Sequence, residues 1–254
     1  LLLLVVVAAA AHASPAMQTV ELTLAGRPVA VDVYRPAPAA GPQRGAVVLS
    51  HGFTRSRTTM GGHAAALAAE GALALTPDLP ATFDFQRNAQ GLAELVAQLR
   101  AGSAETGPPV SRVVLVGFSA GGLSSLLAAG APGVVGYVGL DPFDREFTRQ
   151  ADGGRAALGR DVAPTLRTEV MLLRAPPSRC NAQAVAAPWA GLLPALVSDR
   201  VIDGASHCDF EAPTDWMCRW ACGAPDPARQ ALVRAALRDA IDRWLPRGVA
   251  TAGR

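Results

Sequence analysis

The segment Val113-Val114-Leu115-Val116-Gly117-Phe118-Ser119-Ala120-Gly121-Gly122 limits the possible folds more than any other part of the chain. Four consecutive apolar residues read as a buried strand, which runs into Gly-x-Ser-x-Gly-Gly and then into an Ala/Leu-rich helical stretch. A chain that passes from strand to helix in this way forms a nucleophile elbow, and the serine in the turn is driven into a strained backbone conformation. Glycine is required at 117 and 121, because a Cβ at either position would crowd the adjoining turn. The elbow presents the Ser119 hydroxyl at the end of a sheet, before the positive end of a helix. Gly-x-Ser-x-Gly alone says little in a chain with 25 glycines. Set between this strand and this helix, it predicts a serine nucleophile.

The rest of the chain alternates strands with helices. Residues 20–24 and 29–34 read as an antiparallel pair turning at Gly26-Arg27, followed by a Pro/Ala/Gly loop over 36–42. A buried strand at 46–50, a helix at 62–70 and a strand at 73–76 come next. Residues 88–100 place Leu92, Leu95, Val96 and Leu99 on one helical face. The elbow strand is 112–116 and its helix 120–129. Later strands are expected at 134–140, 170–174 and 200–202, and a closing helix at 227–245 with Leu232, Ala236 and Ile241 on one face and Trp244 beside them. This pattern predicts one α/β domain, a mostly parallel, doubly wound sheet with helices on both faces. A chain of 254 residues, half of them hydrophobic, can bury a sizeable core. Segment 142–168, where a cap domain would be inserted, is short and rich in Gly, Arg and Asp. No large cap is expected, and the cleft should be open.

Residues 1–11 form an unbroken apolar run closed by Ala11-His12-Ala13. We read it as the hydrophobic part of a secretory signal, entered part-way and cleaved after Ala13, with 14–254 as the catalytic domain. The run falls short of the roughly 20 residues of a membrane span, so no stable membrane insertion is expected; an uncleaved anchor or a buried strand is the alternative. The expected location is secreted or periplasmic. There, four cysteines (Cys180, Cys208, Cys218, Cys222) read as two disulfides. The expected pairing is Cys180–Cys208 with Cys218–Cys222, because the loops carrying Cys180 and Cys208 should lie side by side; the rival joins Cys208 to Cys218 or Cys222. No Cys-x-x-Cys pair exists, and no metal is expected. The chain has no lysine, which removes Schiff-base, pyridoxal phosphate and Ser–Lys mechanisms. A net charge of +2 with scattered arginines leaves no nucleic-acid footprint. Arg55 and Arg57 are assigned to a solvated loop, or else to orienting an anionic group. No cofactor is implied, and a monomer is expected.

A serine hydroxyl needs a base within hydrogen-bond reach. Of the histidines after residue 13, His207 follows the last strand in Asp203-Gly204-Ala205-Ser206-His207-Cys208, where a loop can carry the imidazole over the elbow. His63 opens a helix and reads as a surface or capping residue. His51 lies in Ser50-His51-Gly52-Phe53, where the useful group is the backbone: the Phe53 and Ala120 N–H groups would form a two-donor oxyanion pocket. The acid should fall between serine and histidine. The loop 174–181 contains no carboxylate, whereas Gly139-Leu140-Asp141-Pro142 puts Asp141 at the catalytic edge of the sheet. Asp144 is the alternative; Asp203 and Asp209 flank His207 too closely to fold back onto its ring. Phe53, Leu123 and Trp189 are candidates for lining an acyl groove, although a Trp among Pro and Ala, as Trp189 is, is more often packed core than substrate contact.

His51-Gly52-Phe53, the elbow 117–122, Leu140-Asp141-Pro142, Pro176-Pro177 with Cys180, and residues 204–207 together resemble the α/β-hydrolase superfamily, and within it the chlorophyllase-like group and its bacterial relatives. The similarity spans most of the chain after residue 13. It implies that the aspartate ending the sixth sheet strand, Asp141, is the triad acid. Plant chlorophyllases carry Arg after the nucleophile, where this chain has Ala120. The run Gly204-Ala205-Ser206-His207 with a nearby cysteine is also similar to bacterial cutinases and polyester hydrolases, which place the acid after the seventh strand. The expected function is exported hydrolysis of short-chain or accessible carboxylic esters, small-molecule or polymeric, through an acyl-enzyme. Polyester hydrolysis, acyl transfer on the same triad, and a non-catalytic binding protein on this scaffold are the alternatives.

Overall fold

Apolar runs fill the centre of the sheet, and the elements order themselves around it. The computed structural model describes residues 16–37, 41, 43–145 and 156–247; the proposed leader and the middle of segment 142–168 lie outside the described residues. The strands are β1 (Ala16–Leu24), β2 (Arg27–Arg35), β3 (Ala46–Ser50), β4 (Leu73–Pro77), β5 (Val113–Phe118), β6 (Val134–Leu140), β7 (Val170–Arg174) and β8 (Leu196–Val201). The helices are α1 (Gly61–Ala69), α2 (Phe85–Ala101), α3 (Ala120–Ala128), α4 (Leu158–Val162), α5 (Trp216–Cys222) and α6 (Pro227–Trp244). The sheet order is β1-β2-β4-β3-β5-β6-β7-β8. β1–β2 and β2–β4 are antiparallel, and the remaining pairs are parallel.

Every residue of β3, β4 and β5 is buried. Helices cover both faces there, which is why these strands read as continuous apolar runs and not as alternation. Val113 and Leu115 of β5 join a core with Leu92, Leu95 and Leu99 of α2 and Leu123 and Leu126 of α3. Val114, Val116 and Phe118 point to the opposite core, with Leu67 of α1 and Ile241 of α6. β3 lies between β4 and β5, so the chain reverses its direction of winding there. Ser50, the last residue of β3, pairs with Gly117. Ligand sites of open α/β sheets lie beyond the strand ends at such a reversal, and both His51-Gly52-Phe53 and Ser119 leave the sheet at this point.

Three elements differ from expectation. β8 spans Leu196–Val201, not 200–202, and its mostly exposed residues hide it from a search for apolar runs. α6 begins where Asp226 accepts from the N–H groups of Ala228 and Arg229. Its buried stripe is Val233, Ala236, Leu237, Ala240, Ile241 and Trp244, whereas Leu232 faces solvent. α5 has no counterpart in the sequence reading. No described helix is long and apolar enough to cross a membrane.

His63 also departs from expectation. It is buried, and its Nε2 donates to the Phe210 carbonyl at 3.0 Å. Loss of water around the ring pushes its pKa down from 6.5 to about 4, the Phe210 bond opposing that shift. The unfolded chain therefore binds a proton, at falling pH, before the native state does. His63 contributes its full stability above pH 6.5 and loses it as pH falls toward 4. His63→Gln, whose amide can still donate to Phe210, should remove roughly 3 kcal/mol of the wild-type fall in unfolding free energy between pH 7 and pH 4. Urea unfolding at both pH values measures this, and parallel pH profiles for the two proteins would exclude it.

Candidate active site

Ser119 sits at φ 53° and ψ −120°, between β5 and α3. A Cβ on Gly117 would lie 2.4 Å from the Gly121 carbonyl oxygen, and one on Gly121 would lie 2.3 Å from that of His51. Backbone crowds both positions, and only glycine lets the turn close. Surrounding hydrogen bonds hold the strained residue: its N–H donates to the Leu140 carbonyl at 3.0 Å, and its own carbonyl accepts from Gly122 at 2.9 Å and Phe143 at 3.0 Å. Such a conformation costs about 1–3 kcal/mol and persists because these contacts leave no alternative.

His207 opens a 3₁₀ turn, His207–Phe210, in which the Asp209 carboxylate accepts from the Ser206 N–H at 2.7 Å and the Asp209 N–H donates to the Ser206 carbonyl at 3.1 Å. Asp209 also accepts from the Asp226 N–H at 2.6 Å, so it braces this loop from its far side. The ring reaches two partners: Nε2 lies 3.0 Å from Ser119 Oγ, and Nδ1 lies 2.6 Å from Asp141 Oδ2. Ser119, His207 and Asp141 are 9%, 7% and 2% exposed. A carboxylate only accepts, so Nδ1 carries the ring hydrogen and Nε2 offers its lone pair to the serine hydroxyl.

Asp141 is itself held at φ 40°. Its N–H donates to the Leu173 carbonyl at 2.7 Å, and Oδ1 accepts from the Ala175 N–H at 3.0 Å and from Asn181 Nδ2 at 3.3 Å. Asn181 was missed in the sequence. Its Oδ1 accepts from the N–H groups of Ser178 and Ala184, both at 2.9 Å, so it organises the loop after β7 while one amide hydrogen supports the aspartate. The signal was present: a loop at an acid-bearing edge, with no acid but a Ser-x-x-Asn spacing. Asp144 is occupied elsewhere. It accepts from the N–H groups of Gly159 and Arg160 at 2.8 and 3.1 Å and from Trp189 Nε1 at 2.7 Å. Burial raises its pKa, although all three bonds oppose the shift.

A cavity of about 250 Å³ opens over Ser119 and His207. Phe53 and Ala120 line it, together with Phe118, Phe143 and the cysteines Cys180, Cys218 and Cys222. His51 serves the Phe53 segment: Nδ1 donates to the Gly52 carbonyl at 2.8 Å and Nε2 accepts from the Leu79 N–H at 3.2 Å. Burial lowers its pKa, which suits a neutral ring fixed between two backbone groups. Leu123 and Trp189 do not reach the cavity. Both are fully buried in the core that contains α2 and α3, and Trp189 is committed to Asp144.

Arg55 is not in a solvated loop. Its Nε lies 2.9 Å from Glu211 Oε1, and the Glu211 side chain is completely buried, so the pair ties the loop after β3 to the loop that carries His207. Arg57 pairs with Asp32 and Asp78, each at 2.9 Å. The disulfides are Cys180–Cys222 and Cys208–Cys218, with Cα separations of 5.9 and 5.7 Å. The expected Cys180–Cys208 pairing fails because α5 lies beside both loops. Cys218 and Cys222, one helical turn apart, face the same way, and each takes one loop cysteine.

The architecture is similar to the crystal structure of a dienelactone hydrolase from Anabaena variabilis, with a TM-score of 0.68 over 92% of this chain and 100% of that one. The protein has the α/β-hydrolase fold. Sequence identity to that structure is 18%, so the likeness speaks for the fold alone. No protein-family model matches the sequence, and no curated protein is similar to it. In this fold, Ser119 follows β5, Asp141 follows β6 and His207 follows β8.

Proposed function

We propose that the protein is an exported serine carboxylic-ester hydrolase. The observation that carries this reading is the continuous hydrogen-bond chain Ser119–His207–Asp141 at the floor of a cavity that Phe53 and Ala120 also line. Ser119 Oγ attacks the ester carbonyl as His207 Nε2 takes its proton. The Phe53 and Ala120 N–H groups receive the developing oxyanion, and Asp141 stabilises the imidazolium. His207 returns the proton to the departing alcohol, leaving an acyl-serine. Water then attacks the acyl carbon, His207 takes the water proton, and the acid leaves as Ser119 regains its hydrogen. Two disulfides and the apolar leader 1–11 support export.

Cavities for drug-sized ligands measure about 300–1,000 Å³, and at about 250 Å³ this one suits a short acyl chain. p-Nitrophenyl butyrate should be turned over below its solubility limit, with kcat/KM at least about tenfold above that for the palmitate ester, given the roughly 1–3 kcal/mol a pocket gains or loses per methylene. A preference for palmitate, or activity only at an oil–water interface, would overturn the open, short-chain reading.

A further inference from the structure

The direction of the Phe53 N–H is set by hydrogen bonds to the carbonyls on either side of it. A trans peptide is planar, so whatever holds the Gly52 carbonyl also aims the Phe53 N–H, which points the opposite way. That carbonyl accepts from His51 Nδ1 at 2.8 Å and from the Arg55 N–H at 3.2 Å. The Phe53 carbonyl accepts from Thr54 Oγ1 at 2.7 Å and from Arg55 Nη1 at 3.4 Å. Arg55 therefore bonds to both peptide units that flank the Phe53 Cα. Thr54, between Phe53 and Arg55, sits at φ 55°. A β-branched residue is strained there and keeps that conformation only where its surroundings dictate it.

Arg55 is held in turn from the other side of the site. Its Nε lies 2.9 Å from Glu211 Oε1, and 12% of the arginine side chain and none of the glutamate side chain is exposed. Glu211 Oε2 accepts from the Asp215 N–H at 2.8 Å, and the Glu211 N–H donates to the Cys208 carbonyl at 3.4 Å. These bonds fix Glu211 to the turn that His207 opens and to the start of α5. Burial pushes the pKa of its carboxyl up, and the bonds from the Asp215 N–H and Arg55 oppose that shift. We propose that Arg55 and Glu211 are positioning residues for the oxyanion hole, their ion pair fixing the Phe53 N–H relative to the His207 turn. This rests on the ester-hydrolase reading above. The donor gains strength only as negative charge develops on the substrate oxygen, so its misplacement lowers kcat and leaves KM unchanged. A displacement of about 1 Å can cost on the order of 10²-fold.

The test uses Arg55→Lys and Glu211→Gln. Lysine keeps a positive charge opposite Glu211, but a single ammonium cannot serve Glu211 and the Phe53 carbonyl as the guanidinium fork does. Its kcat for p-nitrophenyl butyrate should fall at least about tenfold, with KM within about twofold of wild type. Glu211→Gln turns an amide NH₂ against one of two donors, Arg55 Nε or the Asp215 N–H, and should lose kcat in the same way. Both residues act through one placement, so the double variant should lie within about threefold of the worse single one. Amide hydrogen exchange reads the placement without any substrate. In Arg55→Lys, segment 52–55 should exchange at least about tenfold faster while segment 207–210 stays within about twofold of wild type. That pattern separates a loosened oxyanion loop from a displaced base or a failing fold, and it decides the matter if Glu211→Gln does not fold. Wild-type kcat in Arg55→Lys, or unchanged exchange at 52–55, would overturn the proposal. So would a raised KM at constant kcat, which would assign Arg55 to substrate contact, or equal acceleration at 207–210, which would make the pair a general brace. An inactive wild-type protein would count against the esterase reading, while the exchange result stood separately.

Discussion

Purified Ser119→Ala and His207→Ala should each hydrolyse a soluble ester on the order of 10⁴-fold more slowly than wild type, or worse, with the fold unchanged. The reason lies in the geometry. Ser119 Oγ has His207 Nε2 at 3.0 Å to take its proton, and without that lone pair the hydroxyl is a poor nucleophile at neutral pH. The two residues act as a unit, so the double variant should be little worse than either single one, whereas independent contributions would multiply. Kinetics with p-nitrophenyl butyrate, alongside circular dichroism, measure this. A loss of only tenfold in either variant would remove the proposed mechanism.

Asp141→Asn should cost about 10⁴-fold, as the equivalent change does in the serine-protease template. The hydrogen bonds around this residue give the cause. Asp141 Oδ1 accepts from the Ala175 N–H and from Asn181 Nδ2. An asparagine must keep its oxygen facing those two donors, which turns its NH₂ toward His207 Nδ1. The ring then becomes the acceptor at Nδ1, moves its hydrogen to Nε2, and can no longer take the serine proton. Asp144→Asn should behave differently. Its carboxylate accepts from Gly159, Arg160 and Trp189, and one of those donors is stranded by the amide. The expected loss is about 1–3 kcal/mol of stability, with kcat close to wild type. Comparing the two variants by kinetics and by urea unfolding separates the roles. The reverse pattern would make Asp144 the acid.

The elbow, β3 and the His207 loop were legible because each couples a buried apolar run to residues whose conformation or chemistry is rare. Asp141 was legible by elimination, since the loop after β7 holds no carboxylate. The failures have physical causes. Leu123 stands near the nucleophile in sequence, but on a helix its direction is set by which face meets the sheet, and that face is core. Trp189 belongs to Asp144, 45 residues away, a pairing no local pattern encodes. Arg55 and Glu211 are separated by 156 residues and meet only because the switch in winding brings their loops to one edge. The disulfide pairing went astray with α5: seven residues rich in Trp and Cys carry no usable helical periodicity, and without that helix the two neighbouring loops leave their cysteines only one another as partners.

The central claim is that Ser119 is a nucleophile activated by His207. A fluorophosphonate tests it most directly, because it phosphonylates an activated serine without needing the natural substrate. Mass spectrometry should find one adduct per chain, on the peptide containing Ser119, absent from Ser119→Ala and formed far more slowly in His207→Ala. No adduct on the folded wild-type protein, or an adduct on any other residue, would contradict the account.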